Sequence, residues 1–121
     1  MKKILIIEDE KMLREMYVQK FQQAGFEAMG IGEAEGALEV AKKEMPDLIL
    51  LDILLPRENG ISLLKKIRRD PQLSSIKIVA FSNYDSPQAK KEAQKLNVEA
   101  YLLKANFTPK EIVEKVKEYL K

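Results

Sequence analysis

Residues 47–52 read Asp-Leu-Ile-Leu-Leu-Asp, and residues 4–10 read Ile-Leu-Ile-Ile-Glu-Asp-Glu. Each is a short apolar run closed by carboxylates: Asp52 in one, and Glu8, Asp9 and Glu10 in the other. A near-continuous apolar run of this length suits a strand buried on both faces, as parallel sheets require. If both runs are parallel strands, their acidic groups meet at one end of the sheet. Crowding like charges there raises the free energy of the fold, steeply where water is partly excluded, unless a cation or a chemical task compensates. Function is therefore expected at that edge.

Similar apolar runs recur at Ile76 to Phe81 and Val98 to Leu103, with a weaker one from Phe26 to Ile31. Between them the period changes to that of helices. Leu13, Met16, Tyr17, Phe21 and Ala24 fall on one face ahead of Gly25, a helix terminator. Ala34, Ala37, Leu38 and Ala41 form a second stripe that Met45-Pro46 should end, since the residue before proline avoids the helical region. A third stripe, Leu63, Leu64 and Ile67, stops before Pro71. Ser86-Pro87 reads as a cap followed by proline at the first helical position, with Ala89, Ala93 and Leu96 turned inward. Thr108-Pro109-Lys110-Glu111 reads as a capping box ahead of Ile112, Val113, Val116 and Leu120. Five strands alternating with five helices specify an α/β fold, a doubly wound parallel sheet covered by helices on both faces.

At 121 residues, with neither linker nor low-complexity segment, the chain is expected to form one domain over residues 1–121. Having 45% hydrophobic and 33% charged residues, it has the composition of a soluble globular protein. It contains no cysteine and no histidine, which removes Cys/His metal sites, thiol chemistry and imidazole acid-base catalysis. Oxygen chemistry is what remains. A formal net charge of +2 is too small to argue for direct nucleic-acid binding, and solvated helix faces account for the basic clusters at Lys65, Lys66, Arg68 and Arg69 and at Lys90, Lys91 and Lys95. No signal-like leader precedes the first run, and no apolar segment approaches the roughly 20 residues of a membrane span, so a cytoplasmic location away from membranes is the expectation.

In open parallel sheets, ligands gather outside the carboxyl ends of the strands where the strand order reverses. Glu8, Asp9, Asp52, Ser82 and Lys104 all fall at expected strand ends. Read from its residue type, Asp52 is an oxygen nucleophile, and phosphoryl transfer to it needs charge neutralisation at the attacking and the equatorial oxygens. Hard carboxylate ligands favour magnesium, which makes Glu8 and Asp9 the candidate metal group. Other readings stay open: Glu8 and Asp9 as complements to a helix dipole, Asp52 as a turn aspartate, Lys104 as a lysine reaching solvent, Ser82 as a loop hydroxyl, Tyr101 as a packed aromatic.

The set Ile6-Ile7-Glu8-Asp9-Glu10, Leu51-Asp52-Ile53-Leu54-Leu55-Pro56 with Gly60, then Ser82, then Tyr101-Leu102-Leu103-Lys104 resembles the response-regulator receiver domain, in order and over the whole chain. The resemblance implies a flavodoxin-like (βα)5 fold with strand order 2-1-3-4-5. It implies that Asp52 accepts a phosphoryl group from a phosphohistidine of a sensor histidine kinase or phosphotransfer protein. Mg2+ is implied at Glu8, Asp9, Asp52 and the backbone carbonyl of Leu54, with Lys104 and Ser82 assisting. Ser82 and Tyr101 are implied as switch residues that alter the surface of the fourth helix, fifth strand and fifth helix. A downstream output protein would read that surface, and the chain would be a monomer or a phosphorylation-dependent dimer, a switch rather than an enzyme acting on other molecules.

Departures from the pattern bear on this. Ala105 stands where the family usually has proline, and Asn83 where it has a small residue, so an interaction module that is not phosphorylated is one alternative. The excised receiver of a longer regulator with a DNA-binding or enzymatic output domain is another. Leu54 and Tyr84, two residues past Asp52 and Ser82, occupy the positions that tune attack by water. Both are bulky and neither is an obvious base, so slow self-dephosphorylation is expected.

Overall fold

The computed structural model describes residues 1–55, 58–83 and 85–121; Pro56 and Tyr84, both singled out in the sequence, lie outside the described residues, as does Arg57. Strands β1 (Lys3–Ile7), β2 (Glu27–Ile31), β3 (Leu48–Asp52), β4 (Lys77–Ser82) and β5 (Ala100–Leu103) form one sheet. Its order is β2-β1-β3-β4-β5, and every neighbouring pair is parallel. Helices α1 (Lys11–Gln23), α2 (Ala37–Glu44), α3 (Gly60–Arg69), α4 (Pro87–Lys95) and α5 (Pro109–Tyr119) connect the strands and close the chain. This is the doubly wound α/β arrangement expected from the alternation of periods.

The apolar runs work because side chains alternate across a strand while both faces are covered. Leu5, Ile7, Ile49 and Leu51 face a core completed by Ala37 and Ala41 of α2, Leu64 and Ile67 of α3 and Ala93 of α4. Ile4, Ile6, Leu48 and Leu50 face the opposite core, with Tyr17 and Phe21 of α1 and Ile112 and Val116 of α5. The central strands are buried on both sides, whereas β2 and β5 at the edges are only partly covered, which is why the run at 26–31 is the weakest in apolar content.

The second stripe is corrected in one respect. Ala34 is buried against the core but precedes α2, which begins at Ala37, because Gly36 takes a left-handed backbone (φ 82°) that a right-handed helix cannot run through. The basic cluster on α3 also divides: Lys65 and Lys66 are exposed, but Arg68 is half-buried and donates to the carbonyls of Ser74, Ile76, Leu96 and Asn97, tying two loops together. No helix among the described residues is long and apolar enough to cross a membrane.

The start of α5 follows its sequence signal in full. Thr108 Oγ1 accepts from the Glu111 amide at 3.2 Å, and Glu111 Oε1 accepts from the Thr108 amide at 2.8 Å. Two amides that helix geometry leaves without partners are thereby satisfied. Thr108→Ala is expected to lower the unfolding free energy by about 1 kcal/mol, seen in urea titration as an earlier midpoint with an unchanged slope.

Candidate functional site

The register of β1 against β3 builds the site. Ile7 pairs with Leu51, so the next residue on each strand, Glu8 and Asp52, emerges at the same edge. This edge lies between the two central strands, where the chain switches from building one side of the sheet to the other. Glu8 and Asp52 are 1% and 3% exposed, which makes them buried carboxylates rather than surface ones. Asp9 is exposed, and one oxygen from each of Glu8, Asp9 and Asp52 lies within 4.8 Å of the others.

Lys104 answers this charge. Its Nζ donates to Glu8 Oε2 at 2.7 Å and to Asp52 Oδ2 at 3.1 Å, and the side chain is only 9% exposed. Lys104 therefore does not run out to solvent. The ammonium also stands 4.6 Å from the centroid of the Phe81 ring, a favourable position for a desolvated cation. Lys104–Asn106 forms a single 3₁₀ turn closed by Phe107 N–H donating to the Lys104 carbonyl, and the peptide bonds of the described residues are trans. Ala105 thus presents Lys104 to the carboxylates without the proline the family usually has there. The second oxygen of Asp52, Oδ1, accepts from the Leu54 amide at 2.9 Å. That bond is a turn-type contact, so the turn role and the site role of Asp52 coexist.

One lysine cannot neutralise three carboxylates, and the protonation of the site reflects it. Burial and then the hydrogen-bonded Asp52 carboxylate push Glu8 up to about 8, against a smaller opposing effect of Lys104. Burial, followed by Glu8 and Asp52, also pushes the Tyr17 phenol up to about 12. Three carboxylate oxygens within 4.8 Å of one another, one of them on a residue that burial and a neighbouring carboxylate keep protonated, fit a hard divalent cation in donor type.

The remaining residues divide between two cavities. Glu8, Asp9, Glu10, Asp52, Leu54, Asn83 and Lys104 line an open one of about 330 Å³ at the acidic edge. Ser82, fully buried at the end of β4, and Tyr101 line a neighbouring one of about 230 Å³ bounded by Ile53, Ile61 and Ala89. Leu54, half-exposed, borders both. Asp52, Glu8, Asp9 and Lys104 thus come together as the sequence suggested, while Ser82 and Tyr101 share the adjoining space.

Two contributors have roles that the sequence reading did not assign, Gly60, which it quoted only as part of the motif, and Phe81. Gly60 starts α3 so close to the end of β3 that a Cβ there would stand 2.5 Å from the Asp52 carbonyl oxygen, and its amide donates to the Ile53 carbonyl at 2.7 Å. Any larger residue would displace the backbone that carries Asp52. Phe81, beneath the Lys104 ammonium, reads in sequence as one more core aromatic.

Residues 4–117 match the family described as the response regulator receiver domain, and the chain belongs to that family, the receiver switches of two-component signalling. It is 32% identical over 120 residues to the phosphate regulon transcriptional regulatory protein PhoB of Pseudomonas aeruginosa, covering 99% of this chain and 52% of that protein. The chain therefore spans about half the length of its PhoB relatives. It is 28% identical to the polar-differentiation response regulator DivK of Brucella anthropi, covering 98% and 96% of the two chains. Among solved structures it superimposes on the chemotaxis protein CheY4 of Vibrio cholerae with a TM-score of 0.89 at 26% identity, over 98% of each chain. A CheY-like receiver domain protein of Methanospirillum hungatei gives 0.91 at 28% identity, over 99% and 94%.

The state of Glu8 sets a pH dependence. Because its carboxyl is raised from 4.5 to about 8 in the folded chain, the folded state holds a proton that the unfolded chain has lost. The associated stability is present below about 4.5 and is lost as pH rises through about 8. In EDTA, the unfolding free energy should fall across that window, and Glu8→Gln should flatten the fall. Equal slopes for the two proteins in parallel denaturant titrations would show that Glu8 ionises freely.

Proposed function

We propose that residues 1–121 act as one receiver domain whose Asp52 accepts a phosphoryl group from the phosphohistidine of a sensor histidine kinase or phosphotransfer protein. The observation that carries this reading is the convergence of Lys104 with the buried Asp52 and Glu8 carboxylates, at 3.1 and 2.7 Å, beside Asp9 at an open cavity. An Asp52 oxygen forms the new P–O bond while the P–N bond to the donor imidazole breaks, and the leaving imidazole takes a proton from solvent. Glu8, Asp9, Asp52 and the Leu54 carbonyl would hold Mg2+, which would supply charge neutralisation at the phosphoryl oxygens when bound.

The chain's own residues do the remainder. The Leu54 amide holds one Asp52 oxygen at 2.9 Å and so fixes the carboxylate plane. Lys104 is placed to exchange its bond to Asp52 for one to a phosphoryl oxygen. Ser82 and Tyr101 line the adjoining cavity, so movement of the hydroxyl toward the phosphoryl group opens space into which the phenol can turn. The surface of α4, β5 and α5 changes as a result, and an output protein or a covalently attached output domain reads it. A cytoplasmic location, protein partners with no direct nucleic-acid contact, and a monomeric or phosphorylation-dependent dimeric state accompany this role.

Incubation with a small acyl phosphate donor and Mg2+, followed by intact mass measurement, should add one phosphoryl group to the native chain and none to Asp52→Asn. Addition to both proteins, or to neither, would refute the reading. Leu54 borders the cavity as an apolar wall, and a wall hinders an in-line water. The label on the isolated chain is accordingly expected to persist for minutes or longer in magnesium buffer, and its loss within seconds would contradict that role for Leu54.

A further inference from the structure

Arg14 of α1 and the two glycines Gly30 and Gly32 have no part in the chemistry above, yet they are fitted to one another at its edge. Arg14 Nη1 donates to the Glu8 backbone carbonyl at 3.0 Å and to the Asp9 backbone carbonyl at 3.4 Å. Its side chain reaches them by crossing the end of β2. A Cβ on Gly30 would stand 2.7 Å from Arg14 Cγ, and one on Gly32 would stand 2.6 Å from Nη1. Neither glycine has a left-handed φ, so the backbone does not demand glycine at either position. A side chain at either would instead push Arg14 off its path, and at Gly30 it would also crowd Val18 Cγ2 at 3.2 Å.

The peptide chain entering the metal group is thereby held from two sides. The Glu8 amide donates to the Ile31 carbonyl at 3.0 Å, between the two glycines, and the Glu8 carbonyl accepts from Arg14. We propose that Arg14, in the channel left by Gly30 and Gly32, is a positioning residue that fixes the backbone of Glu8 and Asp9 so that their carboxylates converge with Asp52. The proposal rests on reading those carboxylates as magnesium ligands. Groups that orient a ligand without touching the metal change affinity by roughly 10- to 100-fold when removed.

Charge and position make opposite forecasts, which makes the idea testable. A cation beside the site repels Mg2+, so deleting the charge alone should tighten binding, whereas loss of the anchor should loosen it. Mg2+ dissociation constants are measured by calorimetry on the native chain, Arg14→Met, Gly32→Ala and the double variant, with thermal unfolding in EDTA confirming that each is folded. Gly32→Ala leaves the charge count unchanged and displaces only the guanidinium. Each single variant should bind roughly tenfold more weakly, and the double variant no more weakly than Arg14→Met, since both changes break one interaction. Unchanged or tighter binding by Arg14→Met, or fully additive losses, would overturn the positioning role while the native chain still binds. Failure of the native chain itself to bind Mg2+ would overturn the magnesium reading and this inference with it. If Arg14→Met does not fold, Gly32→Ala with native-like affinity is enough to overturn the inference.

Discussion

The parallel pairing of β1 with β3 forces two carboxylates into one buried place. Once Ile7 lies opposite Leu51, Glu8 and Asp52 have nowhere to go but the same edge, nearly out of contact with water. In a medium less polarisable than water, like charges at that spacing are costly, and the cost must be met by a proton, a cation or both. Each other feature of the site is a response to it. Glu8 keeps its proton to about pH 8, Lys104 gives up solvent to bridge Glu8 and Asp52, and Asp9 brings a third carboxylate oxygen within 4.8 Å of the other two.

Lys104 is bound to two acceptors at once, and the proposed addition of a phosphoryl group to Asp52 would change what those acceptors are. A buried ion pair contributes little net stability, but removing or altering one partner has a large effect. That asymmetry suits a switch: the resting arrangement is tolerable, and the proposed covalent change at Asp52 would alter the partner of the lysine that stands over the Phe81 ring, beside the cavity that Ser82 and Tyr101 line.

Much of this was legible in the sequence because it depends on local chemistry and on period. The apolar runs, the Ser86 and Thr108 caps and the carboxylates at strand ends each carry their own signal, and parallel topology then places Glu8, Asp9, Asp52 and Lys104 together. What was not legible depends on tertiary approach. Gly60 reads as a loop glycine until α3 is seen against the Asp52 carbonyl. Gly36 cuts Ala34 from the helix by a backbone angle that no periodicity records. The separation of Ser82 and Tyr101 into their own cavity follows from where α4 sits, and a single sequence does not give that distance.

In the reading proposed above, a divalent cation, not a second proton, would complement the three carboxylates. Calorimetric Mg2+ titration near neutral pH, repeated in buffers of different ionisation enthalpy, tests it most directly. Binding of one ion with release of protons is predicted, because Glu8 holds its proton to about 8 until the ion displaces it, and Asp9→Asn or Asp52→Asn should abolish or severely weaken that binding. Absence of Mg2+ uptake, or uptake indifferent to both substitutions, would contradict it.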